Sequence, residues 1–288
     1  MARILRYRMG QPQAGRTVQD VLRREHGFSS TLIRSLKTDP GGALLNGAPV
    51  RMVDRLRAGD ELVIALPSRP VECTLNPALR APILYQDEDV LVFDKPPGMP
   101  VHPSHGHRED TLLNRFAAVC PGEEFHPVYR LDMDTSGLCA VALHSLAASL
   151  LPGTARKEYL ALLCGELPSD QGVIDAPIAR EEGSAIKRRV APGGKPSRTR
   201  YRVVDRQNGF TAVAVRLETG RTHQIRVHFA HLGFPLAGDW LYGGDTSVIP
   251  RHALHCRRLW FVHPVTGQPV ELHSPLPKDM EAICGLIV

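Results

Sequence analysis

The sequence predicts an α+β protein: a mixed, largely antiparallel sheet flanked by helices, preceded by a small N-terminal α/β module. Three observations lead there. Up to Leu66, two short amphipathic helical stretches run into a hairpin signal. From Ile83 onward most apolar runs are short and strand-like, with only occasional helical patterns between them. No period of 20 to 50 residues recurs, which excludes solenoids and propellers.

Taken in order, Val18, Val21 and Leu22 share a helical face after Gly15-Arg16-Thr17. A second helix fits SSTLIRSLK, with Ser29 or Ser30 as N-cap and Leu32, Ile33 and Leu36 facing inward. The turn TDPGG follows, then a strand broken at Asn46-Gly47, a tight-turn pair, and a closing strand after Gly59-Asp60. Between Pro67 and Pro82 four prolines and no periodicity read as a stiff linker. The division expected is therefore 1–66, a linker at 67–82, and a larger unit over 83–288. In that unit PILYQDEDVLVFDKPPGMPVHP gives two strands and a Pro/Gly loop, and GLCAVAL gives a buried strand. KEYLALLCG and GFTAVAVRLETG are strands, the latter with Val213, Val215 and Leu217 on one face. THQIRVHFAHLG predicts a helix capped by Thr222, with Ile225, Phe229 and Leu232 inward and Gly233 as its stop. LHCRRLWFVHPVTGQPVELHSPLP predicts a hairpin around Thr266-Gly267.

Composition bounds the function. Up to Leu66 there are eleven Lys/Arg against six Asp/Glu, so this segment carries the whole net charge of +5. A small basic unit beside a neutral larger one suits delivery of an enzyme to nucleic acid. Six cysteines without a CxxC pair argue against a disulfide framework or a zinc ribbon and fit a reducing cytoplasm. The arginine-rich start lacks a secretory pattern, and no apolar run is long enough to span a bilayer.

The chemistry concentrates in PVYRLDMDTSGLCAVAL, Pro127 to Leu143, where Arg130, Asp132 and Asp134 precede a buried run. Charges beside a buried strand are costly unless paired. The stretch is either a well-satisfied turn or a working site. Five segments of the body now line up with one family. YRLDMDTSGL resembles the HRLDxxTSGL signature of the RluA-type pseudouridine synthases, and DKPPGMPVHP their DKPxGxxVHP segment. RKEYLALLCGEL, ETGRTHQIRVHFAHLGFPLAGDWLYG and the closing hairpin resemble further segments of that family, in the same order, from Ile83 to about Pro277. More loosely, the first 66 residues resemble the S4-type RNA-binding domain.

The resemblance implies the pseudouridine synthase fold and an isomerase that converts uridine in RNA to pseudouridine without cofactor or metal. Its partner is RNA, large-subunit ribosomal RNA ahead of transfer RNA, and a cytoplasmic monomer without membrane contact is expected. Asp132 falls on the aspartate that the family requires. Cleaving a glycosidic bond puts positive charge on the sugar, which a carboxylate stabilises, traps covalently, or relieves by taking a ribose proton. The family match gives Arg221 as the cation paired with Asp132. It places Tyr159 against the target base, and Arg130 in the gap left when the nucleotide flips out. Thr135, Ser136 and Gly137 would form the turn that aims Asp132. Lys187 and Arg188, in the basic run IKRRVAPGGKPSRTRYR, are read as phosphate contacts in a loop.

Tyr129 stands where the family has histidine. Asp134 is read as a turn residue, and without a second acid a glycoside hydrolase ranks last. An RNA-binding assembly factor that kept the fold is the rival class, and the presence of Asp132, Tyr159 and Arg221 together weighs against it. His102, His105 and His107 lack partners at metal-ligand spacing. His223, His228 and His231 are read as core or RNA-facing residues.

Overall fold

The computed structural model describes residues 3–284. The first two and last four residues of the divisions expected above, and the Cys284 side chain, lie outside it. Near the N-terminus, β1 (Ile4–Arg8) is followed by α1 (Val18–Arg24), α2 (Ser30–Thr38), β2 (Ala43–Leu45), β3 (Ala48–Pro49) and β4 (Glu61–Ala65). The strands form an antiparallel sheet in the order β1-β4-β2-β3. Thr17 and Ser29 cap the two helices, each accepting from a backbone N–H three residues on. Asn46 and Gly47 both take positive φ (51° and 84°), the geometry of a primed hairpin turn. β1 was not foreseen, because Ile-Leu-Arg-Tyr-Arg after Arg3 reads as a basic tail until β4 is seen beside it.

The helices press Val18, Val21, Leu22, Leu32, Ile33 and Leu36 onto this sheet, and Leu146 from the body completes the same core. Arg3 reaches across to Asp89 with Nε at 2.7 Å from Oδ1. Residues 67–82 carry no strand or helix, yet they are fastened to the body. Val71 N–H donates to Glu123 O, Asn76 N–H donates to Asn114 O, and Ala81 is buried.

The body comprises β5 (Ile83–Gln86), β6 (Val90–Lys95), α3 (Leu112–Val119), β7 (His126–Pro127), β8 (Ser136–Ala142), α4 (Ser145–Thr154), β9 (Arg156–Cys164), β10 (Gln171–Asp175), β11 (Ile178–Arg180) and β12 (Arg188–Val190). It continues with β13 (Arg198–Gln207), β14 (Phe210–Leu217), α5 (Gln224–His231), β15 (Leu254–Val262), β16 (Pro269–His273) and α6 (Lys278–Cys284). Its main sheet runs β10-β13-β14-β9-β15-β8-β6-β5, with β16 on β15 and β7 on β8. The pairing is antiparallel except between β15 and β8, which run parallel. This is the mixed, largely antiparallel α+β sheet the sequence predicts. β11 and β12 form a separate hairpin.

The hairpin expected at Thr266-Gly267 joins β15 to β16, and β8 is buried along its whole length as its composition requires. Two expectations need correction. The basic run read as a loop contains β12 and the start of β13, where arginines at 198, 200 and 202 alternate with Thr199, Tyr201 and Val203. α5 begins at Gln224 rather than after a Thr222 cap. Its N-cap is His223 in the left-handed region (φ 56°), and Leu232 is exposed. Among the described residues no helix is long and apolar enough to cross a membrane.

Candidate active site

Asp132 lies at the centre of the body, in the turn that leads into β8. The Thr135 N–H donates to Asp132 O at 3.1 Å, so the turn spans 132–135, and Ser136 and Gly137 already belong to the strand. Gly137 has φ 103°, and a Cβ there would stand 2.3 Å from Cys256 O. The parallel neighbour β15 therefore demands glycine at the second residue after the turn.

The turn's backbone is gripped by buried cations. Lys95, fully buried, donates to the carbonyls of Pro96 (2.9 Å), Met99 (2.8 Å) and Met133 (2.8 Å). All three ammonium protons are thus used, and the Pro/Gly loop after β6 is tied to the residue next to Asp132. Burial pulls this ammonium down to about 8, which leaves it charged at neutral pH. Arg251 Nη1 donates to Asp134 O at 3.1 Å, while its Nε and Nη2 form a fork on Asp279 at 2.7 and 2.9 Å. Thr135 Oγ1 shares a hydrogen bond with His252 Nε2 at 2.8 Å. Burial pushes His252 well below the ordinary histidine range, so its ring is neutral.

The cation facing the Asp132 carboxylate is Arg226, with Nη1 3.3 Å from Oδ2. This corrects the expectation for Arg221, whose Nε donates instead to Pro196 O at 3.1 Å on the exposed rim. The reason lies in α5. The left-handed turn at His223 starts the helix, so Arg226 sits within its first turn, three residues from His223 and on the same side. His223 Nε2 also approaches Asp132 Oδ2, at 4.0 Å, and burial holds this imidazole below its usual range. Arg226 is fixed from behind by a fork on fully buried Asp239, Nε–Oδ2 2.7 Å and Nη2–Oδ1 2.8 Å. Asp239 in turn follows Gly238 (φ 72°), where a Cβ would meet Arg251 O at 2.0 Å.

Gln224 fastens the loop before α5. Its Oε1 accepts from Arg221 N–H and Thr219 Oγ1, both at 2.9 Å, and its Nε2 donates to Arg198 O and Thr199 Oγ1, both at 3.0 Å. A buried amide with every hydrogen bond made is a rigid staple. Tyr242 bridges two sides, its hydroxyl accepting from Arg188 N–H at 3.0 Å and lying 2.9 Å from His223 Nδ1.

Of the residues expected from sequence, Arg130, Asp132, Thr135, Tyr159 and Arg221 line one pocket with His223 and Arg226. Tyr159 is buried, and burial with the neighbouring Cys256 and Asp132 raises its phenol well above the usual value, so it stands as a hydroxyl at neutral pH. Arg130 is exposed at the mouth. Tyr129 turns the other way, donating to Leu138 O at 3.0 Å with the Lys157 ammonium 3.8 Å from its ring centre. Arg188 lines a neighbouring basic cleft together with Arg221, whereas Lys187 pairs with Glu181 at 3.5 Å outside both. Of the α5 histidines, His228 is a buried core residue held by Thr199 Oγ1 and Ala176 O, and His231 is exposed. His107 of the Pro/Gly loop pairs with Asp110 at 2.6 Å. Among the described residues, Asp87, Asp89 and His263 form the one group with metal-ligand proximity, and there Arg3 and His144 already hold Asp89.

The sequence gives no site role to Arg226, Asp239, Gln224 and Lys95, and it offers His223 as core or RNA-facing, where the structure puts it in the pocket lining. All of these but Lys95 lie inside the long segment from Glu218 to Gly243, and for Lys95 the available signal was a lysine closing a strand that opens with the apolar run Val90 to Phe93. The pocket thus offers one carboxylate backed by a fixed guanidinium, a neutral phenol, and an exposed arginine at its mouth. That set can stabilise a developing sugar cation beside a stacked base.

A family model described as RNA pseudouridylate synthase matches residues 89–231. The chain is 39% identical over 269 residues to an uncharacterized RNA pseudouridine synthase, YjbO, of Bacillus subtilis (strain 168), covering 90% of this chain and 95% of that one. It is 38% identical over 276 residues to ribosomal large subunit pseudouridine synthase D of Xanthomonas campestris, covering 86% and 81% of the two. Human RNA pseudouridylate synthase domain containing 1 superposes with a TM-score of 0.59 at 27% identity, over 71% of this chain and 88% of that chain. The chain belongs to the RNA pseudouridine synthase family, isomerases that act on uridine in RNA.

Proposed function

We propose that this enzyme isomerises uridines of large-subunit ribosomal RNA, with the target nucleotide flipped into the Asp132 pocket. The observation that carries the reading is the Asp132 carboxylate held 3.3 Å from Arg226 in a pocket that also contains Tyr159. The ribosomal substrate is supported by relatives named ribosomal large subunit pseudouridine synthase D.

The reaction breaks the bond from the ribose to N1 of uracil and makes one to C5. The C5 proton leaves and N1 gains one, so no atom is added and no electron is exchanged. Asp132 is the carboxylate that meets the ribose as that bond breaks, and Arg226 sets its position and charge. Tyr159 supports the base, and as a neutral hydroxyl it can hand on the proton that C5 sheds. Arg130, free at the mouth, fills the vacancy that the flipped nucleotide leaves. Thr135 holds the turn through His252, and Arg188 and Arg221 meet RNA phosphates at the rim. Residues 1–66 act as an S4-like RNA-binding unit, with Arg23, Arg24 and Arg55 lining one cleft. The enzyme works as a cytoplasmic monomer.

The test is pseudouridine mapping of total RNA from source cells with and without the gene, complemented by wild type or by Asp132→Asn. Large-subunit ribosomal sites should disappear and return only with wild type. Lost sites confined to transfer RNA would overturn the substrate assignment, and restoration by the variant would overturn the role of Asp132.

A further inference from the structure

The segment from Leu217 to Thr222 borders three clefts. Leu217 lines both the Asp132 pocket and a larger cleft of about 900 Å³. Gly220 lines the larger cleft and the basic cleft of Arg188, while Arg221 lines that basic cleft and the Asp132 pocket. The three are therefore continuous around one short rim.

The large cleft has a composition of its own. Arg156, Arg200 and Arg216 line it with Trp260 and with Glu218, which accepts from Arg200 Nε, while Lys157 turns its ammonium to the other face of the sheet, over Tyr129. Strand register explains the grouping. Arg200 stands opposite Arg216, Arg216 opposite Glu158, and Trp260 opposite Arg156. Cross-strand partners share a face, and Arg156 and Glu158 are two apart on β9, so all five project from the same side of the sheet. Glu158, buried, accepts from Arg216 Nε at 2.9 Å and from its Nη2 at 2.8 Å. That grip sets the guanidinium 5.3 Å from the centre of the Trp260 ring while the arginine side chain stays 63% exposed. The result is an ordered pair of flat groups at the edge of a cationic cleft. Indole and guanidinium planes are the surfaces on which unpaired RNA bases stack, and flanking cations follow the backbone.

We propose that this cleft binds the single-stranded RNA flanking the target uridine, with Trp260 and Arg216 as a stacking ledge for one base and Arg156 and Arg200 on adjoining phosphates. The proposal rests on the Asp132 pocket being the seat of the target nucleotide. It gives the enzyme a way to hold the strand open beside a flipped base, and makes Trp260 a determinant of which RNA contexts are accepted.

The sequence contains two tryptophans, Trp240 and Trp260, so a Trp240→Phe protein reports on Trp260 alone through its indole emission. Titrating it with a ten-nucleotide oligouridine RNA should quench that emission saturably, with the midpoint that anisotropy of the labelled RNA gives. A blunt duplex of the same length should quench far less. Trp260→Ala should weaken binding of the ten-mer by about tenfold, within the range for one stacked base, while Trp260→Phe keeps most of it. Binding without quenching, equal quenching by the duplex, or wild-type affinity in Trp260→Ala would each overturn the proposal. Asp132→Asn should bind the ten-mer as wild type does yet release no tritium from C5 of an unmodified ribosomal transcript. A variant that still released tritium would remove the reading of the Asp132 pocket, and the quenching result would judge the ledge separately.

Discussion

Replacing Arg226 separates its work on the fold from its work on Asp132. The guanidinium makes a fork on fully buried Asp239 and one contact of 3.3 Å to Asp132. Arg226→Met strands the Asp239 carboxylate, a loss of about 3–5 kcal/mol by analogy with other broken buried pairs. For a chain of this size that lowers Tm by roughly 10 °C. In Arg226→Met/Asp239→Leu both buried charges are gone, and most of that stability should return. Activity should not. A unit charge at 3.3 Å is worth about 5 kcal/mol at an effective dielectric constant of about 20, reduced by the 28% exposure of the Asp132 side chain. A loss of roughly 10²–10³ in kcat is expected for both the single and the double variant. Calorimetry and C5-tritium release on one ribosomal transcript read the two quantities side by side. Arg221→Gln is the contrast, since its guanidinium caps Pro196 at the rim. It should raise KM a few-fold and leave Tm in place. A double variant that regained activity along with stability would refute the assignment of Arg226 as the partner of Asp132, as would a larger kcat loss in Arg221→Gln than in Arg226→Met.

Lys95→Met orphans three carbonyls, including Met133 O beside Asp132, and should cost about 3 kcal/mol in a melt and roughly 10²-fold in kcat. At the contact between Arg3 and the body, burial acts to raise the Asp89 carboxyl, but hydrogen bonds from His144 and Arg3 outweigh it and pull the group down to about 2. A carboxyl depressed in the folded state contributes stability above its unfolded value near 3.9, and loses it as pH falls toward 2. Arg3→Met should therefore melt lower than wild type at pH 7, by about 1–2 kcal/mol, with the gap closing between pH 4 and 2. Substituting Arg23, Arg24 and Arg55 together by Gln should reduce the slope of log Kd against log salt for ribosomal RNA by roughly 2 to 3, if each meets one phosphate.

Local physics was legible wherever neighbours decided the outcome. Thr17 and Ser29 as caps, Asn46-Gly47 as a hairpin turn and the continuously apolar β8 all follow from residues within a few positions. What escaped depended on distant partners. β1 is a strand because β4 lies beside it, and β13 because β14 and β10 flank it. α4 lacks a one-sided pattern because Leu146 enters the N-terminal core while Ala147 and Leu151 enter the main one. The site divides in the same way. Asp132, Tyr159, Thr135 and Arg130 were identified by the family resemblance, and the structure gathers them in one pocket. The choice between Arg221 and Arg226 turned on a left-handed His223 and on Asp239, thirteen residues past Arg226, and neither leaves a mark in local periodicity.

The most direct measurement is single-turnover C5-tritium release by purified Asp132→Asn on an unmodified large-subunit ribosomal transcript, with RNA affinity measured in parallel. The variant should bind the transcript within about threefold of wild type and release no tritium above the uncatalysed background. Release at anything near the wild-type rate would contradict the claim that the carboxylate opposite Arg226 carries the isomerisation.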